Sequence, residues 1–137
     1  MLCYDVLFVS HPTFPSIATC PQQNLQSNGV EAPVVEYRWG EDATPVLHAA
    51  NTRHFDYVLA ADVLYHDEHF LSLAEAMFAL TSKSSRILLC YEQRRKDLKV
   101  FLDILRQQGF VIEQTHIFRI PREDVETMLY AHFIRQA

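Results

Sequence analysis

The apolar positions of the chain fall into two kinds of run. Short continuous runs read as strands covered on both faces; runs spaced by three and four read as helices buried on one side. Tyr4 to Val9 is of the first kind, ended by Ser10, His11 and Pro12. Residues 13–28 are weakly patterned, although Ile17, Cys20, Asn24 and Leu25 allow a short helix from Pro15 or Ser16, stopped by Asn28-Gly29. Val34 to Trp39 is expected to be a strand, and 40–54 a loop with one helical turn. Phe55 to Ala61 carries a near-continuous apolar run, the mark of a strand buried on both faces. Phe70, Leu73, Met77 and Leu80 predict a helix over 68–82. Arg86 to Tyr91 is a second apolar strand. Leu98, Phe101, Leu102 and Leu105 predict another helix, closed by Gly109. Phe110 to Phe118 alternates loosely, and Met128 to Ile134 is the last strand candidate. Strands alternate with helices until the final two strands, which follow each other directly. That order predicts an α/β fold, a mostly parallel sheet with an antiparallel edge strand. Right-handed crossovers place its ligand crevice at the carboxyl ends of the parallel strands.

Length and charge narrow the function. A chain of 137 residues suits one domain spanning 1–137. Twelve basic against seventeen acidic residues argue against a general nucleic-acid binder. No apolar run reaches the roughly 18 residues of a membrane span, and the opening ten residues do not read as a signal peptide. Cys3, Cys20 and Cys90, odd in number and widely spaced, fit the reduced thiols of a cytoplasmic protein.

Asp62-Val-Leu-Tyr65 directly follows the strand Phe55 to Ala61, so by the crevice rule its polar groups sit where ligands bind. A carboxylate there can hold a hydroxyl or a cation, and the tyrosine offers a ring face and a hydroxyl. The plainer alternative is that Asp62 caps the next helix and Tyr65 packs beneath it. Trp39-Gly40 ends another expected strand; its indole either flanks a flat ligand such as adenine or belongs to the core. His66 and His69 are metal-capable, but no third ligand stands out, so no metal is assigned. Arg94-Arg95-Lys96 reads as a solvated basic face. The chain has neither a Gly-x-Ser-x-Gly elbow nor a Gly-x-x-x-x-Gly-Lys-Ser/Thr phosphate loop.

Four segments together resemble the seven-β-strand protein-lysine methyltransferases that carry an Asp-x-x-Tyr motif. They are Asn24-Leu-Gln-Ser-Asn28, Val35 to Glu41 with its Trp-Gly, Phe55 to Tyr65, and Ile87 to Arg94. The third is the most specific. The fourth is similar to the group within the family that acts on valosin-containing protein, as is the ending Arg122 to Arg135. The resemblance implies a Rossmann-like fold, S-adenosylmethionine as methyl donor and a protein lysine as acceptor. It also implies that Trp39 packs on the adenine, Ala61 lines the cofactor pocket, and Asp62 and Tyr65 frame the lysine channel.

The match to the family is incomplete. The family opens with a strand and a Gly-x-Gly loop, and this sequence contains only Gly29, Gly40 and Gly109. If Tyr4 to Val9 matches the second strand, Ser10 stands where the family has an acid for the ribose hydroxyls. The expectation is therefore a fold lacking its first strand and glycine-rich loop. Three ways of closing the exposed sheet edge stay open: Tyr4 to Val9 pairs directly with Phe55 to Ala61, a second copy of the chain completes the sheet in a homodimer, or the sequence is part of a longer enzyme. Two readings remain open: a lysine methyltransferase, or a catalytically silent interaction module on the same scaffold.

Overall fold

In the computed structural model the described residues are 19–64, 66–92, 98–121 and 126–137. They belong to two units, Met1–Arg53 and His54–Ala137, each taken by itself. The expected strand Tyr4 to Val9 lies outside the described residues.

In the first unit, helix α1 (Thr19–Ser27) stops where the sequence indicates. Gly29 adopts φ +67, its N–H donates to the Gln26 carbonyl, and the Val30 N–H reaches back to Leu25 at 2.9 Å. This pair of bonds satisfies carbonyls that a helix end leaves free, and a glycine adopts the required left-handed backbone without steric cost. Helix α2 (Thr44–Ala49) is the helical turn expected within 40–54. The Asp42 carboxylate accepts from both the N–H and the hydroxyl of Thr44 just before it. The strand expected over Val34 to Trp39 does not form. Among the described residues nothing ladders with it, and its burial does not alternate: Val34 and Val35 are both half-buried. An apolar run without a neighbour to hydrogen-bond cannot be a strand.

The second unit is a four-stranded sheet with helices. Strand β1 (Tyr57–Ala61) leads through a 3-10 turn at Asp67–His69 into α3 (Phe70–Leu80). Next come β2 (Arg86–Glu92), α4 (Leu98–Gln107), β3 (Phe110–Pro121) and β4 (Glu126–Gln136). The order is β1-β2-β4-β3. Strands β1 and β2 are parallel, and β4 is antiparallel to both β2 and β3. Three strands thus share one direction, with the reversed strand lying one place in from the edge. Ile87 and Leu89 of β2, Ile134 of β4, and Phe101 and Leu105 of α4 form the fully buried centre. The period-two burial of β2 and the three-and-four spacing of both helices are what assemble it. The Gln136 amide donates to the Phe78 and Thr81 carbonyls at 3.0 and 2.9 Å, so β4 also closes the end of α3.

The two sheet edges differ. Strand β3 carries a register shift between Ile112 and Gln114, ends on Pro121 and bears Glu113 and Arg119. These features protect an edge from further pairing. Strand β1 has none of them, and Tyr57 and Leu59 are 73% and 77% exposed. No helix among the described residues is long and apolar enough to cross a membrane.

Candidate functional site

The parallel pair fixes where β1 ends. Ala61 aligns with Cys90, and the Asp62 N–H donates to the Cys90 carbonyl at 2.8 Å. There the backbone turns: Asp62 has φ +52. An L-residue in this region costs about 1–2 kcal/mol, although aspartate tolerates it better than most. Strain of this kind held at the carboxyl end of a parallel strand is a mark of functional sites. Asp62 and Ala61 are both exposed there. The helix-cap alternative for Asp62 does not hold, because His66 and His69 occupy the N-cap positions of the 3-10 turn and of α3. Tyr65 and Ser10 lie outside the described residues. Among the described residues no group of three His, Cys, Asp or Glu side chains is placed to hold a metal ion.

Trp39 belongs to the first unit. It and Gly40 are the two corner residues of a turn closed by the Glu41 N–H on the Arg38 carbonyl at 3.1 Å, with Gly40 at φ +87. The buried Tyr37 hydroxyl donates to the Glu41 carbonyl at 2.9 Å and pins the turn. Burial, then the charges of Asp42 and Glu41, push the Tyr37 hydroxyl above its ordinary value, so it stays protonated and donating. The indole itself is half-buried, a setting suited to a ring that packs on one side and presents a face on the other. An open hollow of about 300 Å³ in this unit is lined by Leu47, His48, Asn51, Thr52 and Arg53 and includes none of the expected site residues.

One cluster escaped the sequence reading. Tyr91, at the end of β2, lies on the row that follows Ala61 and Cys90, level with Asp62. Its hydroxyl is 2.8 Å from His132 Nε2, and His132 Nδ1 is 2.8 Å from the Thr115 hydroxyl. Tyr130 stacks on Tyr91 with ring centres 5.5 Å apart. Burial, and to a lesser degree Tyr130, push the Tyr91 phenol up to about 12. Burial, then Arg106, hold His132 below its ordinary range. A polar chain thus ties β2, β4 and β3 together with every member neutral near pH 7. The signal for it was the alternation Tyr130, His132, Ile134, which puts the histidine on the buried face.

Each unit taken by itself offers part of what S-adenosylmethionine needs. In the first, Trp39 offers an aromatic face; in the second, Ala61 adds only a methyl group at the strand end and Asp62 offers a carboxylate. No glycine pair is present to admit close backbone approach to a cofactor.

A family model described as lysine methyltransferase matches residues 14–108. Protein-lysine N-methyltransferase EFM6 of Saccharomyces cerevisiae is 28% identical over 123 residues, covering 74% of this chain and 50% of that protein. Protein N-lysine methyltransferase METTL21A of Mus musculus is 33% identical over 95 residues, covering 69% of this chain and 40% of that protein. The chain therefore spans half or less of the length of these relatives. The fold matches that of a TehB-like SAM-dependent methyltransferase from Corynebacterium glutamicum, with TM-score 0.68 at 13% identity, over 97% of this chain and 68% of that one. At that identity the likeness establishes the Rossmann-like α/β fold.

Proposed function

Since the chain belongs to the lysine methyltransferase family, we propose that it serves methyl transfer from S-adenosylmethionine to the ε-amine of a protein lysine, with Asp62 at the acceptor. The observation that carries this reading is the strained carboxylate at the carboxyl end of β1, φ +52 at the crevice position of an α/β sheet. S-adenosylmethionine, when bound, supplies an electrophilic methyl group on a sulfonium. The protein's part is to present the acceptor. A free lysine amine has a pKa of about 10.4 and is protonated at neutral pH. A desolvated channel lowers that value, and Asp62 orients the amine by accepting a hydrogen bond from it. Tyr65 shields the amine from water, Trp39 stacks on the adenine, Ala61 leaves room for the cofactor, and Ser10 serves the ribose hydroxyls. Positioning supplies most of the acceleration.

Several finer readings have weaker support. The run Ile87 to Arg94 favours the group acting on valosin-containing protein. The acidic balance favours a protein partner over nucleic acid or a membrane surface. The unprotected edge of β1 favours pairing with a second copy, residues 1–137 acting as one domain. The thiol of Cys90 is free, in keeping with the reduced cytoplasm.

Calorimetry with S-adenosylhomocysteine tests the reading, together with methyl transfer to lysine peptides. Micromolar binding that is lost in Trp39→Ala is expected. Asp62→Asn keeps a residue that tolerates the left-handed backbone and should cut methyl transfer at least a hundredfold with the melting temperature unchanged. No heat at millimolar ligand would favour the silent module instead. Full activity in Asp62→Asn would remove that residue from the reaction.

A further inference from the structure

Pairing between β2 and β4 ends at Glu92 and Leu129, yet β3 and β4 continue for three more pairs, Arg119 with Met128, Ile120 with Thr127 and Pro121 with Glu126. The hairpin therefore stands beyond the end of β2, on the side of the sheet where Asp62 lies. Along its outer strand Phe118 and Ile120 share one face, 54% and 37% exposed, with the half-buried Leu129 of β4 beside them, while Ile117 points to the other face. Large apolar side chains grouped on one face and uncovered at a sheet edge mark an interaction surface. We infer that this projecting hairpin is the docking surface for an apolar side chain of the protein substrate, on the same extended segment that brings its lysine to Asp62. The inference rests on the reading of Asp62 given above and adds a rule for the substrate.

Two observations select that occupant. The surface is continuous with the site, because Glu92, Leu129 and Phe118 share one row across β2, β4 and β3, one row beyond that of Asp62. The far end of the row is also charged: Asp62, Asp67 and Glu68 are exposed where β1 gives way to α3, and Glu92 is half-buried at the end of β2. A segment that is cationic at one end and apolar at the other matches this arrangement. The geometry sets the spacing. Three strand separations of about 4.8 Å lie between β1 and β3, so the two ends are about 14 Å apart. An extended chain covers that in about four residues at roughly 3.4 Å each. Residues four apart on an extended segment point the same way. The preferred substrate thus carries a bulky aliphatic residue four positions from its lysine.

The test is fluorescence-anisotropy binding of the full chain to labelled peptides with leucine four positions from lysine, with that leucine replaced by serine, or with it moved next to the lysine. The first peptide should bind at least tenfold more tightly than the other two, and Phe118→Ser with Ile120→Ser should abolish the difference. Because both side chains are half-exposed, the melting temperature of that variant should stay within a few degrees. Equal binding of the three peptides, or an unchanged preference in the variant, would overturn the docking surface. Calorimetry with S-adenosylhomocysteine on the same samples separates the two claims. Cofactor binding without peptide preference leaves the methyltransferase reading and removes this one; preference without cofactor binding removes the methyltransferase reading and leaves a peptide-docking surface that is not a substrate site.

Discussion

His132 should make the fold acid-sensitive in a way one substitution can isolate. The ring is 4% exposed and is held between the Tyr91 and Thr115 hydroxyls at 2.8 Å on either side. A neutral imidazole has one donor and one acceptor, and a hydroxyl can answer either, so the ring is satisfied in both tautomers. The hydroxyls could also accept from a doubly protonated ring, so acid does not break the chain by removing partners. The penalty comes first from burying a cation and second from Arg106. Both hold the folded-state value below the ordinary 6.5. Above that pH the ring is neutral in both folded and unfolded chains and contributes no pH dependence. As pH falls through 6.5 the unfolded chain takes up a proton that the folded one refuses, so stability drops until the folded ring titrates as well. The slope in that window cannot exceed about 1.4 kcal/mol per pH unit for one group. Urea unfolding of the wild type and His132→Gln at pH 7.5, 6.5, 5.5 and 4.5 measures it. Carboxylates titrate alike in both, so the difference between the curves belongs to His132. The wild type should lose up to about 1 kcal/mol more than the variant over the first unit below 6.5, or about 3–5 °C in melting temperature. Parallel curves would refute the argument.

Three further perturbations test other parts of the structure. The Tyr91 phenol, pushed up to about 12, stays protonated in the fold while the unfolded chain ionises near 10, so stability should fall between those values on an alkaline titration and fall less in Tyr91→Phe. Glu113→Gln removes the carboxylate that Arg86 and Arg135 share at 3.1 and 2.6 Å; these groups are part-exposed, so about 0.5–1.5 kcal/mol should be lost in urea unfolding, and less at high salt. Leu59→Lys puts a charge on β1, which pairs only with β2 among the described residues, and should lower the self-association proposed above in sedimentation velocity without changing the circular dichroism spectrum.

The second unit was legible because its elements carry strong local patterns. Leu73 and Met77 lie on one face of α3, Phe101 and Leu105 on one face of α4, and β2 alternates residue by residue. The place of Asp62 just past β1 was legible from topology, since the end of a parallel strand is set by the order of elements and needs no side-chain detail. Val34 to Trp39 misled because an apolar run records a demand for burial, and burial came without a ladder. The Tyr91–His132–Thr115 chain was hidden for a different reason. Its members are 17 and 41 residues apart and meet only through the β2-β4-β3 register. Nothing local marks that register beyond the alternation along β4.

Strand β1 shows how far such patterns reach. Tyr57 to Ala61 has the composition of a strand enclosed on both sides, uncharged and without bulge or proline, yet among the described residues it pairs only with β2. Strand β3, by contrast, has the devices of a strand meant to face water. Exposure along β1 alternates, Tyr57, Leu59 and Ala61 being exposed and Ala60 buried, so one face of the strand is open. Covering the side chains of Tyr57 and Leu59 on that face is worth about 3–5 kcal/mol at roughly 25 cal/mol per Å², a sizeable fraction of the 5–15 kcal/mol that holds an ordinary domain together. Cover on this face of β1 should therefore govern stability, whereas occupancy of the projecting hairpin should govern substrate choice. Tyr57→Ser with Leu59→Ser should leave peptide preference unaltered, because Phe118 and Ile120 lie three strands away on β3.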